Sequence, residues 1–201
     1  RISHELRTPL TIMTGFVSTL LTHDAEFGPD DRKAMLERTR AAIGRLSALI
    51  DELLTAASFE AGMAEAVVID VDVAPILEAI KAEAVDPERV RVNCPPGVHA
   101  RADPKLLKQA LHLLVDNAMK YGGNAELTVR PGEITVRDHG PGVPSELGDR
   151  VFDRFVRGTT SKPGMGLGLP LVRSLCAAMD ATVGLESPAD GGACFRIRFS
   201  S

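Results

Sequence analysis

No run of apolar residues in this chain approaches the roughly 20 that a membrane helix needs, and no secretory signal pattern is visible. Cysteine is sparse: Cys94, Cys176 and Cys194 are an odd number with no close spacing, so neither a disulfide framework nor a zinc site is expected. The five histidines, at 4, 23, 99, 112 and 139, form no HExxH and no i,i+4 pair, which argues against a histidine-built metal centre. Basic charge is not in excess: the net charge is −4, so the whole-chain balance favours no nucleic-acid partner. Internal repeats and low-complexity tracts are also lacking. What remains is an ordinary globular composition, 44% hydrophobic and 25% charged over 201 residues, enough for one large domain or two small ones. Residue 1 is an arginine with a helical pattern already running, so the chain reads as a piece of a longer protein, and sensor or membrane segments could lie upstream.

Residues 1 to about 27 carry a helical stripe of Ile2, Leu6, Leu10, Met13, Val17, Leu20 and Leu21. Gly28-Pro29 interrupts it, and Asp30 or Asp31 suits an N-cap. A second stripe follows: Met35, Ile43, Leu46, Leu49, Ile50, Leu53 and Leu54. A hairpin of two such helices, each about 40 Å long at the standard rise, buries one face of each. Two hairpins would complete a four-helix bundle, so a homodimer through residues 1–60 is expected. Around Ala61-Gly62 the pattern changes. Val67 to Val73 alternates like a strand, 74–85 is helical, and Val90–Val92 and Val98–Ala100 are short strand candidates. Asp103 caps a helix that has Pro104 at its first position and runs to Tyr121. Strands at Leu127–Arg130 and Ile134–Arg137 flank Pro131-Gly132. A glycine-rich segment spans 138–165, a helix starts near Gly166–Leu169 and runs to about Asp180, and a hairpin, Thr182–Glu186 with Cys194–Phe199, closes the chain around Asp190-Gly191-Gly192. Such a mixture predicts an α+β two-layer sandwich.

Three places could carry chemistry. Ile134, Val136 and Asp138 share one strand face, which aims the Asp138 carboxylate inward, where it needs donors; Gly140 and Gly142 would let a ligand approach the backbone. In the helix 103–121, Asn117 falls on the stripe of Leu107, Ala110, Leu114 and Tyr121, with Lys120 one turn later; a metal-bound ligand would give a buried amide a partner. Gly164, Gly166 and Gly168 alternate at a helix start, where bare N–H groups attract anions. The stretch is not a GxxxxGK[ST] loop.

The order of these signals carries a resemblance. SHELRTPL (3–10) is similar to the H-box of sensor histidine kinases, LLVDNAMKY (113–121) to their N-box, DHGPG (138–142) and GMGLGL (164–169) to their two glycine boxes, and FDRFVRG (152–158) to their F-box. The resemblance spans essentially the whole chain. It implies a dimerisation and histidine phosphotransfer domain at 1–62 and a catalytic ATP-binding domain of the GHKL type at 63–201. The implied activity is ATP-dependent autophosphorylation of His4, phosphoryl transfer to an aspartate on a response regulator receiver domain, and phosphatase activity toward it. The implied roles are phosphoacceptor for His4, proton acceptor for Glu5, a phosphate contact for Arg7 and water positioning for Thr8. Asp138 would accept from the adenine amino group, and Asn117 would ligate Mg²⁺. Lys120 and Arg157 would neutralise phosphate charge, Tyr121 would flank ATP, and Gly140, Gly142, Gly164, Gly166, Leu167 and Gly168 would complete the site. Pro9 would place mobility beside the histidine, and 143–165 would form a lid. The implied location is cytoplasmic, with any inner-membrane anchoring supplied by segments beyond this chain. Leu113 departs from the pattern, standing where a polar residue is usual, and Met165 stands where threonine is common. Two other readings remain. One is a chaperone- or topoisomerase-type ATPase of the same superfamily, which would have no use for SHELRTPL; the other is a nucleotide-binding scaffold with weak or no kinase activity.

Overall fold

The computed structural model describes residues 2–23, 26–60, 66–154, 156, 158 and 166–200, without the side chains of 2–5, 45, 47–49 and 51–60. The chain divides into two compact units, Arg1–Ser58 and Phe59–Ser201.

The first unit contains α1 (Ile2–His23) and α2 (Pro29–Glu60). The first helix stops at His23, short of the expected end near residue 27. The second starts on Pro29 itself, where a fixed φ and a missing N–H fit the first helical position. Asp30 and Asp31 therefore fall within the first turn of α2, near the positive end of its dipole, rather than serving as its N-cap. α1 continues through Pro9, whose ring is buried. Its apolar stripe is covered only in part. Leu6, Met13 and Leu20 are half-buried, while Leu10, Val17 and Leu21 on α1 and Leu36, Ile43 and Ile50 on α2 are exposed. No described helix is long and apolar enough to cross a membrane.

The second unit contains β1 (Ile69–Asp72), α3 (Val73–Glu83), β2 (Val90–Asn93), β3 (His99–Ala102), α4 (Pro104–Gly122), β4 (Ala125–Arg130), β5 (Glu133–Arg137), α5 (Gly168–Ala178), β6 (Ala181–Glu186) and β7 (Cys194–Phe199). The main sheet has the order β2-β4-β5-β7-β6, with β2 parallel to β4 and every other pair antiparallel. β1 and β3 form a separate antiparallel pair. The strand expected from Val67 is shorter at both ends. Its end is set by Asp72, whose carboxylate accepts from the Ala74 N–H at 3.1 Å and so starts α3.

Period-two alternation builds the core. Ala125, Leu127 and Val129 of β4, Ile134 and Val136 of β5, and Phe195 and Ile197 of β7 are buried against Leu77 and Ile80 of α3, Leu107, Leu111 and Leu114 of α4, and Leu171, Val172 and Leu175 of α5. The alternate residues carry charge instead: Arg196 bonds Glu133 at 2.8 Å and Glu186 at 2.7 Å. This is the expected two-layer arrangement, with helices against one sheet face. The three cysteines are free thiols, and burial pushes the Cys176 thiol up to about 12, which leaves it protonated and inert at neutral pH.

Candidate functional site

α4 is the element that carries most of the predicted polar residues, and Asp103 holds its start. One carboxylate oxygen accepts from the N–H of Lys105 at 2.9 Å and of Leu106 at 3.1 Å; the other accepts from Val67 at 2.9 Å. Burial pushes this carboxyl up, but the bonds from Val67, Leu106 and Lys105 outweigh it and leave the group below its ordinary range. At the far end Gly123, at φ +75°, donates to the carbonyls of Ala118 and Met119, a left-handed cap that suits glycine. Between these caps Asn117, Lys120 and Tyr121 are half-buried. They sit beside the fully covered stripe of Leu107, Ala110, Leu111, Leu114, Val115 and Ala118, so Asn117 lies at the edge of the stripe rather than within it. The Lys120 ammonium lies 5.2 Å from the centre of the Tyr121 ring, a cation–π distance. Leu113 packs against the core and brings no polar atom. On another face His112 Nδ1 lies 3.2 Å from Asp116, and the Asp116 carboxylate holds the His112 imidazole above its ordinary pKa.

Asp138 follows β5 and extends its alternation inward: Ile134 and Val136 are 1% exposed and Asp138 is 3% exposed. Its Oδ1 accepts from the N–H of Gly140 at 2.8 Å and of Ala193 at 3.3 Å, and Oδ2 receives neither bond. The N–H of Asp138 donates to the Ala193 carbonyl at 2.9 Å, and the N–H of His139 donates to Asn124 Oδ1 at 3.1 Å.

The glycines here answer to a packing constraint within the chain. A Cβ on Gly140 would lie 2.8 Å from both Gly122 Cα and the Tyr121 carbonyl, and one on Gly142, at φ +75°, would lie 2.9 Å from the Gly192 carbonyl. Close packing of the chain on itself excludes a side chain at both. Sequence reasoning also missed Gly122, Asn124, Gly192 and Ala193, each of which touches this segment. Asp190-Gly191-Gly192 read simply as a hairpin turn.

The third predicted element is the start of α5. Leu167 is its buried N-cap residue and offers no side-chain bond, whereas aspartates cap α3 and α4. Among the described residues no side chain caps the first N–H groups of α5, and such groups at a helix start suit an anion. Gly166 adopts φ +69°, and among the described residues no atom lies within 4 Å of a Cβ built on Gly168. In the segment between, residues Gly148–Phe152 form a 3-10 turn with Val151 and Phe152 buried. Phe152 meets Phe195 edge to face at 6.2 Å, and the Arg173 guanidinium lies 4.7 Å from its ring centre. This part of the expected 143–165 lid is therefore anchored in the core. Arg157 and Gly164 lie outside the described residues.

On α1, Arg7 and Thr8 are exposed, while the side chains of His4 and Glu5 lie outside the described residues. Arg7 begins a shallow groove of about 390 Å³ that continues along Leu10, Thr11, Thr14, Gly15 and Ser18.

The inventory of the second unit fits a purine nucleoside triphosphate. It has the buried carboxylate of Asp138 to accept from a ring amino group, an ammonium beside an aromatic ring, and a helix start with no side-chain cap among the described residues for anionic oxygens. A hard divalent cation held mainly by phosphates needs one or two protein oxygens, and the Asn117 amide oxygen is of that class.

Comparison with known proteins places these features in a family. The family model for the His Kinase A (phospho-acceptor) domain matches residues 1–62. That for the histidine kinase-, DNA gyrase B- and HSP90-like ATPase matches residues 102–201. The signal transduction histidine-protein kinase AfsQ2 of Streptomyces coelicolor is 33% identical, over 98% of this chain and 40% of its own length. Among solved structures, the Acinetobacter baumannii histidine kinase AdeS superposes with a TM-score of 0.75 at 25% identity, covering 98% of this chain and 97% of that one. Full-length ShkA in complex with AMPPNP gives a TM-score of 0.67 at 27% identity, over 99% of this chain and 45% of that one. This chain thus spans less than half of the length of AfsQ2. With a phosphoacceptor-domain match over α1 and α2 and an ATPase-domain match over the unit that holds Asp138, the chain belongs to the sensor histidine kinases of two-component systems.

Proposed function

We propose that this chain phosphorylates itself on His4 from ATP and passes the phosphoryl group to an aspartate on the receiver domain of a response regulator. The observation that carries the reading is Asp138, a carboxylate at the end of a core strand whose described hydrogen bonds both fall on Oδ1. Oδ2 then serves as the acceptor for the adenine amino group. Lys120 and Arg157 offset phosphate charge, Tyr121 lies beside the nucleotide, and the backbone N–H groups of Gly164, Gly166 and Gly168 hold the phosphates. Asn117 would hold Mg²⁺, which would neutralise charge between phosphates. Phosphoryl transfer asks chiefly for positioning and charge neutralisation, and these residues offer both.

In the first unit, one ring nitrogen of neutral His4 attacks the γ-phosphorus as the bond to the β–γ bridging oxygen breaks. Glu5 takes the proton from the other ring nitrogen. Arg7 meets the incoming phosphoryl group, and Thr8 positions a water that hydrolyses the regulator's phosphoaspartate. The working unit is a homodimer through residues 1–60, with a domain boundary at 62/63. The chain acts in the cytoplasm, and any inner-membrane anchor lies outside it.

Incubation with γ-labelled ATP and Mg²⁺ tests this: label stable to alkali and labile to acid appears on the wild type and not on His4→Ala. Leu113, which gives the site no polar atom, favours a second reading as a nucleotide-binding scaffold. ATP binding with neither label nor hydrolysis would establish that scaffold reading, and hydrolysis without protein label would point to an ATPase of another branch.

A further inference from the structure

We infer that Gly192, in the turn joining β6 to β7, is a positioning residue for Asp138, so that discrimination for the adenine amino group depends on a glycine that never touches the nucleotide. The inference rests on the assignment of Asp138 to adenine.

The turn and the aspartate are held together from several sides. The N–H of Asp138 donates to the carbonyl of Ala193 at 2.9 Å, and the N–H of Ala193 returns a bond to Asp138 Oδ1 at 3.3 Å. One residue earlier, Arg137 Nη2 donates to Asp190 Oδ1 at 2.5 Å. Between these ties lies Gly192, at φ +80°. A Cβ there would stand 1.9 Å from the Asp138 carbonyl oxygen and 3.1 Å from His139 Cα. Both are backbone atoms, so no side-chain rotation relieves the overlap, and the peptide carrying the carboxylate must move. Its neighbour Gly191 also has a positive φ, +92°, but a Cβ there would meet only the Gly140 carbonyl, at 3.9 Å. Turn geometry explains Gly191, whereas contact with Asp138 explains Gly192. Catalytic groups misplaced by about an ångström lose most of their effect, and a single carboxylate that reads one amino group has no redundancy.

The pair of glycines supplies its own control. Dissociation constants are measured by calorimetry for ATP and for purine riboside triphosphate, which lacks the 6-amino group, on the whole chain and on Gly192→Ala and Gly191→Ala. Thermal unfolding checks that each variant is folded. The wild type prefers ATP. Gly192→Ala loses at least about tenfold of that preference, the discrimination one hydrogen bond to a charged acceptor sustains, while Gly191→Ala, with comparable backbone strain, keeps it. If Gly192→Ala retains the wild-type ratio, even with both affinities lowered, the inference is overturned, as it is if Gly191→Ala loses the ratio equally. Should Gly192→Ala fail to fold, Asp190→Ala, which removes the Arg137 tie without adding atoms, decides: a several-fold fall in the ratio supports the inference and an unchanged ratio overturns it. A wild type indifferent to the 6-amino group refutes the adenine assignment itself, a distinct result.

Discussion

Asp138 is the side chain on which the nucleotide reading can be tested most directly. Asp138→Ala is expected to weaken ATP binding at least about tenfold by calorimetry, in line with loss of a charge-assisted hydrogen bond, while leaving purine riboside triphosphate affinity nearly unchanged. Its inward aim was legible in the sequence, because period two carries Ile134 and Val136 directly into position 138. The neighbouring glycines were legible as glycines, but the packing that bars side chains there was not. The atoms that exclude side chains at Gly140 and Gly142 belong to Tyr121, Gly122 and Gly192, which are remote in sequence. No local pattern reports a contact across such separations. Asn117 shows an intermediate case: helical spacing placed it near the apolar stripe, but a stripe has edges, and only packing reveals that Asn117 occupies one.

At the scale of elements, α4 was the most legible, since an aspartate before a proline marks a helix start with its own chemistry. Asp103→Ala should destabilise the second unit by about 1–2 kcal/mol in urea unfolding, the usual cost of losing a capping carboxylate. The native carboxyl of Asp103 lies below its ordinary 3.8. Its contribution is therefore present above that value and is lost as pH falls through the lower native one; Asp103→Ala should lack this part of the acid transition. His112 has the opposite sign. Asp116 raises its native value above the ordinary 6.5, so its contribution is complete below that pH and disappears as pH rises through the native value. The Tm difference between wild type and His112→Gln should accordingly be larger at pH 5.5 than at pH 9. The segment 138–165 was the least legible: its glycines and prolines read as loop, while Val151 and Phe152 are anchored in the core. A two-residue apolar anchor is too short for any periodicity to register.

Across the whole molecule, the change in pattern near Ala61-Gly62 already separated a helical part from a mixed one, and the compact units divide at Ser58 and Phe59. The exposed apolar residues of the first unit carry the remaining expectation. Val17 and Ile43 are 43% and 51% exposed in the single chain, and a second hairpin would cover such positions. Val17→Glu combined with Ile43→Glu should weaken self-association at least tenfold in sedimentation equilibrium while leaving ATP affinity intact; an unchanged dimer would remove these faces from the interface. The three helices packed on the sheet also differ in how they begin. Two open on an aspartate of their own chain, and α5 opens on Leu167, which supplies no acceptor. The amide protons of Gly168 and Leu169 are accordingly expected to trade faster with deuterated solvent than those at the starts of α3 and α4, and to slow when ATP is added. Deuterium uptake at those two amides would then serve as a built-in occupancy gauge that needs neither label nor turnover.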